Sequence, residues 1–311
     1  DIPSDFEDYG WSSGTYCQKV YQGYTTKIEK DVVISTWQSI YKMPRKYFEH
    51  FGCVIGDEAH MFKAKSLTGI MTKLHQCKYR FGLTGTLDGS QTHKLVLEGL
   101  FGTAEKVVST KELIDKKTLA NLKIKCIVLK HPTKKERMDY VEEMDYIVSR
   151  ESRNKFILDL CKNISGNTLC LFQLVEKHGK ILHDGMKGGE NVYFVYGGTD
   201  TEQREKIRGL VEGHTKSTTI ASYGTFSTGI NIRNINNIVL ASPSKSKIRV
   251  LQSIGRGLRT SSTKDSILIF DIADDISYGE RRNFTLNHFF ERINIYNEEQ
   301  FNYEISKVKI K

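Results

Sequence analysis

The 311-residue sequence predicts an α/β protein built from two parallel-sheet layers with a hinge between them. Three observations carry that expectation. Short β-branched or apolar runs alternate with segments of helical period. Acidic or glycine-rich turns follow several of these runs, where the carboxyl ends of parallel strands would lie. The pattern also fades over one charged stretch and then restarts, as it does between separate layers.

In the first part, DVVIST (31–36), CVIGDE (53–58) and YRFGLTG (79–85) read as strands. KSLTGIMTKLH (65–75) sets Leu67, Ile70, Met71 and Leu74 at helix-face spacing. The weakest periodicity, 107–123, places the boundary near residue 120 and gives domains 1–120 and 121–311. Residues 131–150 are charged and expected to form surface helix. Further strands are expected at 122–130, 168–173, 191–196, 217–223, 236–242 and 265–272. Between them, SRNKFILDLCKNI and TDTEQREKIRGLVEG have helical period, and in the second Thr199 and Glu202 are spaced as a capping box. Strands separated by helices argue for parallel sheets covered on both faces.

The formal net charge of +9 and pI near 9.1 suit a polyanionic partner such as nucleic acid, through phosphate contacts and counterion release. A merely basic soluble protein is the other reading of that balance. An apolar fraction of 39% and mean hydropathy of −0.42 describe a soluble globular chain. No apolar run approaches the roughly 18 residues of a membrane span, and DIPSDFEDYG lacks the apolar core of a signal peptide. The chain starts without Met, in what reads as the middle of a domain. Its six cysteines form no CxxC pair and no zinc-spaced cluster, so they are expected to be reduced structural thiols in a cytoplasmic protein.

Five stretches carry candidate chemistry. VIGDEAHMF (54–62) would deliver two carboxylates to a strand's exposed end. Asp57 would hold magnesium through coordinated water, Glu58 would orient the attacking water, and His60 would face the other domain and relay nucleotide state. Helix capping or a solvated turn is the plainer account of such an acidic pair. GLTGT (82–86) leaves the hydroxyls of Thr84 and Thr86 at the same sheet edge, although an ordinary Gly-Thr turn would look alike. STWQS (35–39) offers Thr36 and Trp37 to a nucleic-acid strand, unless Trp37 is a core residue. ASYGTFSTGINI (221–232) reads either as a Gly/Ser loop or as a phosphate-approaching segment with Ser227, Thr228 and Gly229. QSIGRGLR (252–259) sets Gln252, Arg256 and Arg259 at i, i+4 and i+7, one helix face if the helix continues through Gly257. Planar, permanently charged guanidinium groups suit a γ-phosphate there. His178 and His214 read as surface or capping histidines.

The order DEAH, GLTGT, STG and QxxGRxxR resembles that of the superfamily-two helicases. VVISTWQSIYKMPRKYFEHFG, IASYGTFSTGINI, KSKIRVLQSIGRGLR and EEQFNY make the chain similar to the UvsW-like phage recombination helicases, a branch that also resembles XPB-type translocases. The resemblance runs from about Asp5 to near the end. It implies two RecA-like domains flanking a cleft that binds ATP, with opening and closing that moves DNA or RNA. It assigns Asp57 and Glu58 to magnesium and water activation, and His60 to coupling. Thr84 and Thr86 would link hydrolysis to strand movement, and Ser227, Thr228 and Gly229 would lie near nucleic acid and nucleotide. Gln252, Arg256 and Arg259 would close over the triphosphate. ATP and Mg2+ are the implied cofactors, and DNA, branched or in an RNA–DNA hybrid, the implied partner. No GxxxxGK[ST] loop occurs in the sequence: HGKIL (178–182) and HTKST (214–218) lack its glycine spacing. The first domain is therefore expected to lack its opening P-loop portion, and the chain to be incomplete and weakly active. The competing readings are a non-enzymatic nucleic-acid-binding module and the motor subunit of a restriction or repair complex.

Overall fold

A computed structural model describes the chain except residues 1, 22, 86, 88–90, 133–137, 230–231, 233, 245, 259–263 and 279–280, and except the side chains of 4, 5, 8, 227–229, 247–249 and 256. The chain divides into two compact units, Asp1–Glu105 and Lys106–Lys311. The weak periodicity and charge of 107–123 put the boundary near residue 120. The earlier division follows from the helix Thr110–Asp115, which Ser109 and Glu112 close with a reciprocal capping box. Ile114 and Leu119 behind it pack on the core of the second unit, and Thr110 donates to Glu299.

The first unit holds two separate parallel strand pairs among its described residues. β1 (Cys17–Val20) pairs with β2 (Val32–Ser35), and β3 (Cys53–Gly56) pairs with β4 (Tyr79–Gly82). The helix Lys65–Lys73 buries Leu67, Ile70 and Met71, the periodic face read from the sequence, against Phe48, Phe62 and Leu97.

The second unit is a seven-stranded, all-parallel sheet. Its strands are β5 (Asn121–Lys130), β6 (Asn167–Phe172), β7 (Val192–Val195), β8 (Ser217–Ser222), β9 (Asn237–Leu240), β10 (Ser266–Asp275) and β11 (Tyr303–Lys309). The spatial order is β11-β5-β10-β9-β6-β8-β7. β6 and β8 are buried along their whole length, so they read as continuous apolar or small runs rather than alternating ones. Two cores cover the two faces. One gathers Ile269, Ala273 and Phe289, and the other gathers Phe270, Ile272 and Ile157.

The helix Thr201–Gly213 starts one residue later than the expected capping box: Asp200, not Thr199, is the N-cap and accepts from Gln203 N at 2.7 Å. Thr199 instead accepts from Tyr196 N. The charged stretch 131–150 contains the helix Tyr140–Ser149, whose Met144, Ile147 and Val148 are buried. None of the described helices is long and apolar enough to cross a membrane. All six cysteines are free thiols.

Candidate functional site

In the first unit, β3 delivers Asp57 and Glu58 to an exposed turn beyond its carboxyl end. Gly56 and Gly82 are register partners at the ends of β3 and β4. A Cβ on Gly56 would lie 2.8 Å from the Phe62 ring, and one on Gly82 would lie 2.9 Å from the Phe101 ring. Both strand ends therefore need glycine so that aromatic rings can pack beneath the acidic turn. Glu58 sits in the left-handed region at φ 50°, ψ 48°, a conformation a non-glycine residue keeps only when its surroundings impose it. The surroundings here are explicit. Ala59 N donates to Leu83 O at 2.8 Å, Leu83 N donates to Gly56 O at 2.9 Å, and Glu58 N donates to Asp57 Oδ1 at 2.8 Å. His60 is buried, with Nδ1 3.0 Å from Thr84 Oγ1 and 3.2 Å from Glu58 Oε2. This unit thus brings Glu58, His60 and Thr84 together, while Thr86 lies outside the described residues.

No group of three or more His, Cys, Asp or Glu side chains able to hold a metal occurs among the described residues. An exposed, hard carboxylate such as Asp57 fits magnesium, which keeps most of its water and takes one or two protein oxygens. Thr36 occupies the N-cap position of the short helix Trp37–Ile40 without a side-chain cap bond, its hydroxyl lying 3.0 Å from Ser39 Oγ, and is exposed. Trp37 is no core residue: it is 37% exposed and sits edge-on to Tyr41.

In the second unit, the glycine- and serine-rich stretch after β8 is a helix, Tyr223–Gly229, rather than a loop. Tyr223 and Phe226 drive it into the core, and Ser222 Oγ accepts from Thr225 N at its start. Ser227, Thr228 and Gly229 occupy its last turn. Gln252 and Arg256 share the helix Lys247–Gly257. The described helix ends at Gly257, and Arg259, the third position of the i, i+4, i+7 spacing, lies outside the described residues. A Cβ on Gly257 would run into Ile267 and Ile238, whereas Gly255 has open space. Lys264 is buried and donates to the Gly257 carbonyl; burial pulls its ammonium down to about 8.

His178, expected to be a surface or capping histidine, is fully buried in the π-helical turn Val175–Gly179. Burial first, then the neighbouring Arg153 charge, pushes its imidazole down to about 3, so it is neutral. His214 does occupy a capping position, ending Thr201–Gly213, and bonds the Tyr193 hydroxyl at 2.9 Å. Five further charged residues, Glu143, Arg153, Asp271, Asp274 and Arg292, are buried without forming part of any motif in the sequence. Their only local signal is the acidic residues inside the apolar run of β10, since their partners are far away in sequence.

Residues 4–89 match the family model described as "Type III restriction enzyme, res subunit", and residues 150–261 match "Helicase conserved C-terminal domain". The ATP-dependent DNA helicase uvsW of Enterobacteria phage T4 is 34% identical over 99% of this chain and 66% of its own length. The chain thus spans just under two thirds of that relative. The crystal structure of T4 UvsW superposes with a TM-score of 0.53 at 33% identity, covering 99% of this chain and 65% of that one. The type ISP restriction-modification enzyme LlaBIII bound to DNA shares the fold at 13% identity, with a TM-score of 0.63 over 99% of this chain and 24% of that one. Two helicase-domain matches in sequence, the RecA-like fold and the extended identity lead to one assignment: the chain belongs to the UvsW-like superfamily-two helicases.

Proposed function

We propose that this chain is motor sequence of an ATP-dependent DNA helicase or translocase serving recombination, branch migration or repair, with branched DNA or RNA–DNA hybrids among its substrates. It would work in the cytoplasm, that of the host cell if the source is viral. The observation that carries the reading is the turn in which a strained Glu58 is tied through buried His60 to Thr84. Strain of this kind persists where the surrounding structure over-determines it, and such places cluster at functional sites.

In this reading Glu58 orients and polarises the attacking water. Asp57 holds magnesium, which when bound neutralises charge on the phosphates. His60 passes the state of Glu58 to Thr84, and Thr86 continues that link towards the moving strand. Gln252, Arg256 and Arg259 contact the triphosphate; Ser227, Thr228, Gly229, Thr36 and Trp37 contact nucleic acid or nucleotide. No GxxxxGK[ST] stretch lies in the 311 residues, so little else in the chain grips the β- and γ-phosphates in line for attack. As a 311-residue polypeptide it therefore hydrolyses ATP weakly.

The test combines two measurements on the chain. ATP turnover with and without single-stranded DNA is compared with Glu58→Gln, and DNA affinity is measured by anisotropy across a salt series with and without nucleotide. The motor reading expects slow turnover that Glu58→Gln abolishes and a DNA affinity that shifts with nucleotide. Steep salt dependence, no nucleotide effect and no difference from Glu58→Gln would instead identify a non-enzymatic binding module.

A further inference from the structure

Two arginine–aspartate pairs are buried on opposite faces of the second unit's sheet. Asp271 and Asp274 both belong to β10, and their side chains enter the two different cores. On one face Arg153, from the helix Glu151–Asn163, makes a two-point contact with Asp274: Nε to Oδ1 at 2.7 Å and Nη2 to Oδ2 at 3.0 Å. On the other face Arg292, from the helix Phe284–Glu298, reaches Asp271 through Nε at 2.8 Å and Nη2 at 2.7 Å. Both arginines are at most 2% exposed and both aspartates are fully buried.

Ion pairs this deep are weak evidence for stability, because desolvation can exceed the attraction and an apolar pair of similar volume often serves as well. What an apolar pair cannot do is donate hydrogen bonds, and each guanidinium has donors left over. Arg153 Nη2 donates to Ala241 O at 2.7 Å, and Arg292 Nη1 donates to Ser244 O at 3.0 Å. Between them, the Tyr223 hydroxyl donates to Ser242 O at 3.0 Å, and Ser242 Oγ accepts from Gln173 N at 3.1 Å and lies 2.9 Å from His178 Nδ1. All these bonds fall on the segment that leaves β9. The hold continues into the next element: Ser246 N donates to Ser244 Oγ at 3.4 Å, and Val250 N, in the first turn of Lys247–Gly257, donates to Ser246 O at 3.0 Å.

We propose that Arg153 and Arg292 are positioning residues, which clamp segment 241–244 from the two faces of the sheet and so fix where the helix bearing Gln252 and Arg256 begins. Its consequence for turnover rests on the ATP-hydrolysing reading; the clamp itself does not. A planar fork is required at both places, because the same group must satisfy a carboxylate and a carbonyl in fixed directions. Lysine keeps the charge and loses the fork.

The experiment is hydrogen exchange on the whole 311-residue chain, comparing wild type with Arg153→Lys and Arg292→Lys, together with ATP turnover of the same samples. Losing a hydrogen bond from a charged donor should speed exchange across 247–257 by roughly tenfold or more, with β7 and β8 unchanged. Turnover should fall by about the same factor while KM for ATP moves less than about twofold, since the helix contributes to the transition state. Exchange that is unchanged, or that rises equally across the sheet, would overturn the clamp. If wild-type turnover equals that of Glu58→Gln, the hydrolytic reading fails while the exchange contrast still decides the clamp. Should either lysine variant fail to fold, Tyr223→Phe, which removes one donor to Ser242 O, must show the same local acceleration at smaller size, or the proposal falls.

Discussion

Glu58 joins a functional role to a measurable strain. Its left-handed backbone costs about 1 kcal/mol relative to glycine, offset in part by glycine's greater freedom in the unfolded chain. Glu58→Gly is therefore expected to keep or raise stability, by up to ~1 kcal/mol, while removing hydrolysis; urea unfolding beside a turnover assay would read both. A clear loss of stability would mean that the bond to His60, rather than the backbone, dominates. His178 makes a second prediction at this scale. Its imidazole titrates near 6.5 when unfolded and near 3 when buried, so between those values the unfolded chain holds the extra proton. Stability contributed by the neutral ring is complete above about pH 6.5 and falls as the pH drops below it, by at most ~1.4 kcal/mol per pH unit. In Asp274 burial alone would raise the carboxyl, but the Arg153 charge and the His131 bond outweigh it and hold it at about 2. Its own contribution is therefore lost only as pH falls from 3.8 towards 2, below the window in which His178 acts. Unfolding of wild type and His178→Asn across pH 5 to 7.5 should give a shallower pH slope for the variant; parallel curves would place the proton elsewhere.

Individual elements differ in how plainly the sequence announces them. β6, β8 and β10 are legible because parallel strands buried on both faces are runs of apolar, small and β-branched residues, and β5 because its first half alternates buried and exposed positions before an apolar run. β11, with lysine, serine and glutamate through YEISKVK, is an exposed edge strand and carries no such signal. The helix Tyr223–Gly229 is hidden by its two glycines, one serine and two threonines, none of them strong helix formers, and exists because Tyr223 and Phe226 are pulled into the core. At the candidate site, the motif residues were legible from local spacing. The Arg153–Asp274 pair was not, because it joins residues 121 positions apart. The helix of the QxxGRxxR stretch supports a contrast between its glycines. Gly257 lies where a Cβ would strike Ile267 and Ile238, so Gly257→Ala should cost about 1–3 kcal/mol by overpacking. Gly255 has open space, so Gly255→Ala should gain up to ~1 kcal/mol from helix propensity. Thermal unfolding of the two variants checks the contrast. Equal effects would mean that the helix is not pressed on the sheet as described.

At the scale of the whole molecule the two units are unequally self-sufficient. Lys106–Lys311 contains the complete seven-stranded sheet, both of its cores and both buried arginine–aspartate pairs. Asp1–Glu105 holds its described strands as two separate pairs, and isolated two-stranded pairs are marginal in water. Its β3–β4 region also leaves Ile55 64%, Phe81 53% and Leu83 57% exposed, apolar area that contributes nothing to holding the unit together. Limited proteolysis should therefore degrade the first unit and leave a resistant product beginning near Lys106. Expressed alone, residues 106–311 should show one cooperative urea transition, with a midpoint close to that of the last transition of the whole chain. Residues 1–105 alone should melt without a cooperative step. The reasoning fails if the excised second unit is markedly less stable than in the intact chain, because its stability would then depend on residues outside it. It also fails if residues 1–105 unfold cooperatively, because eight buried side chains around Phe48 and Met71 would then suffice for an independent core.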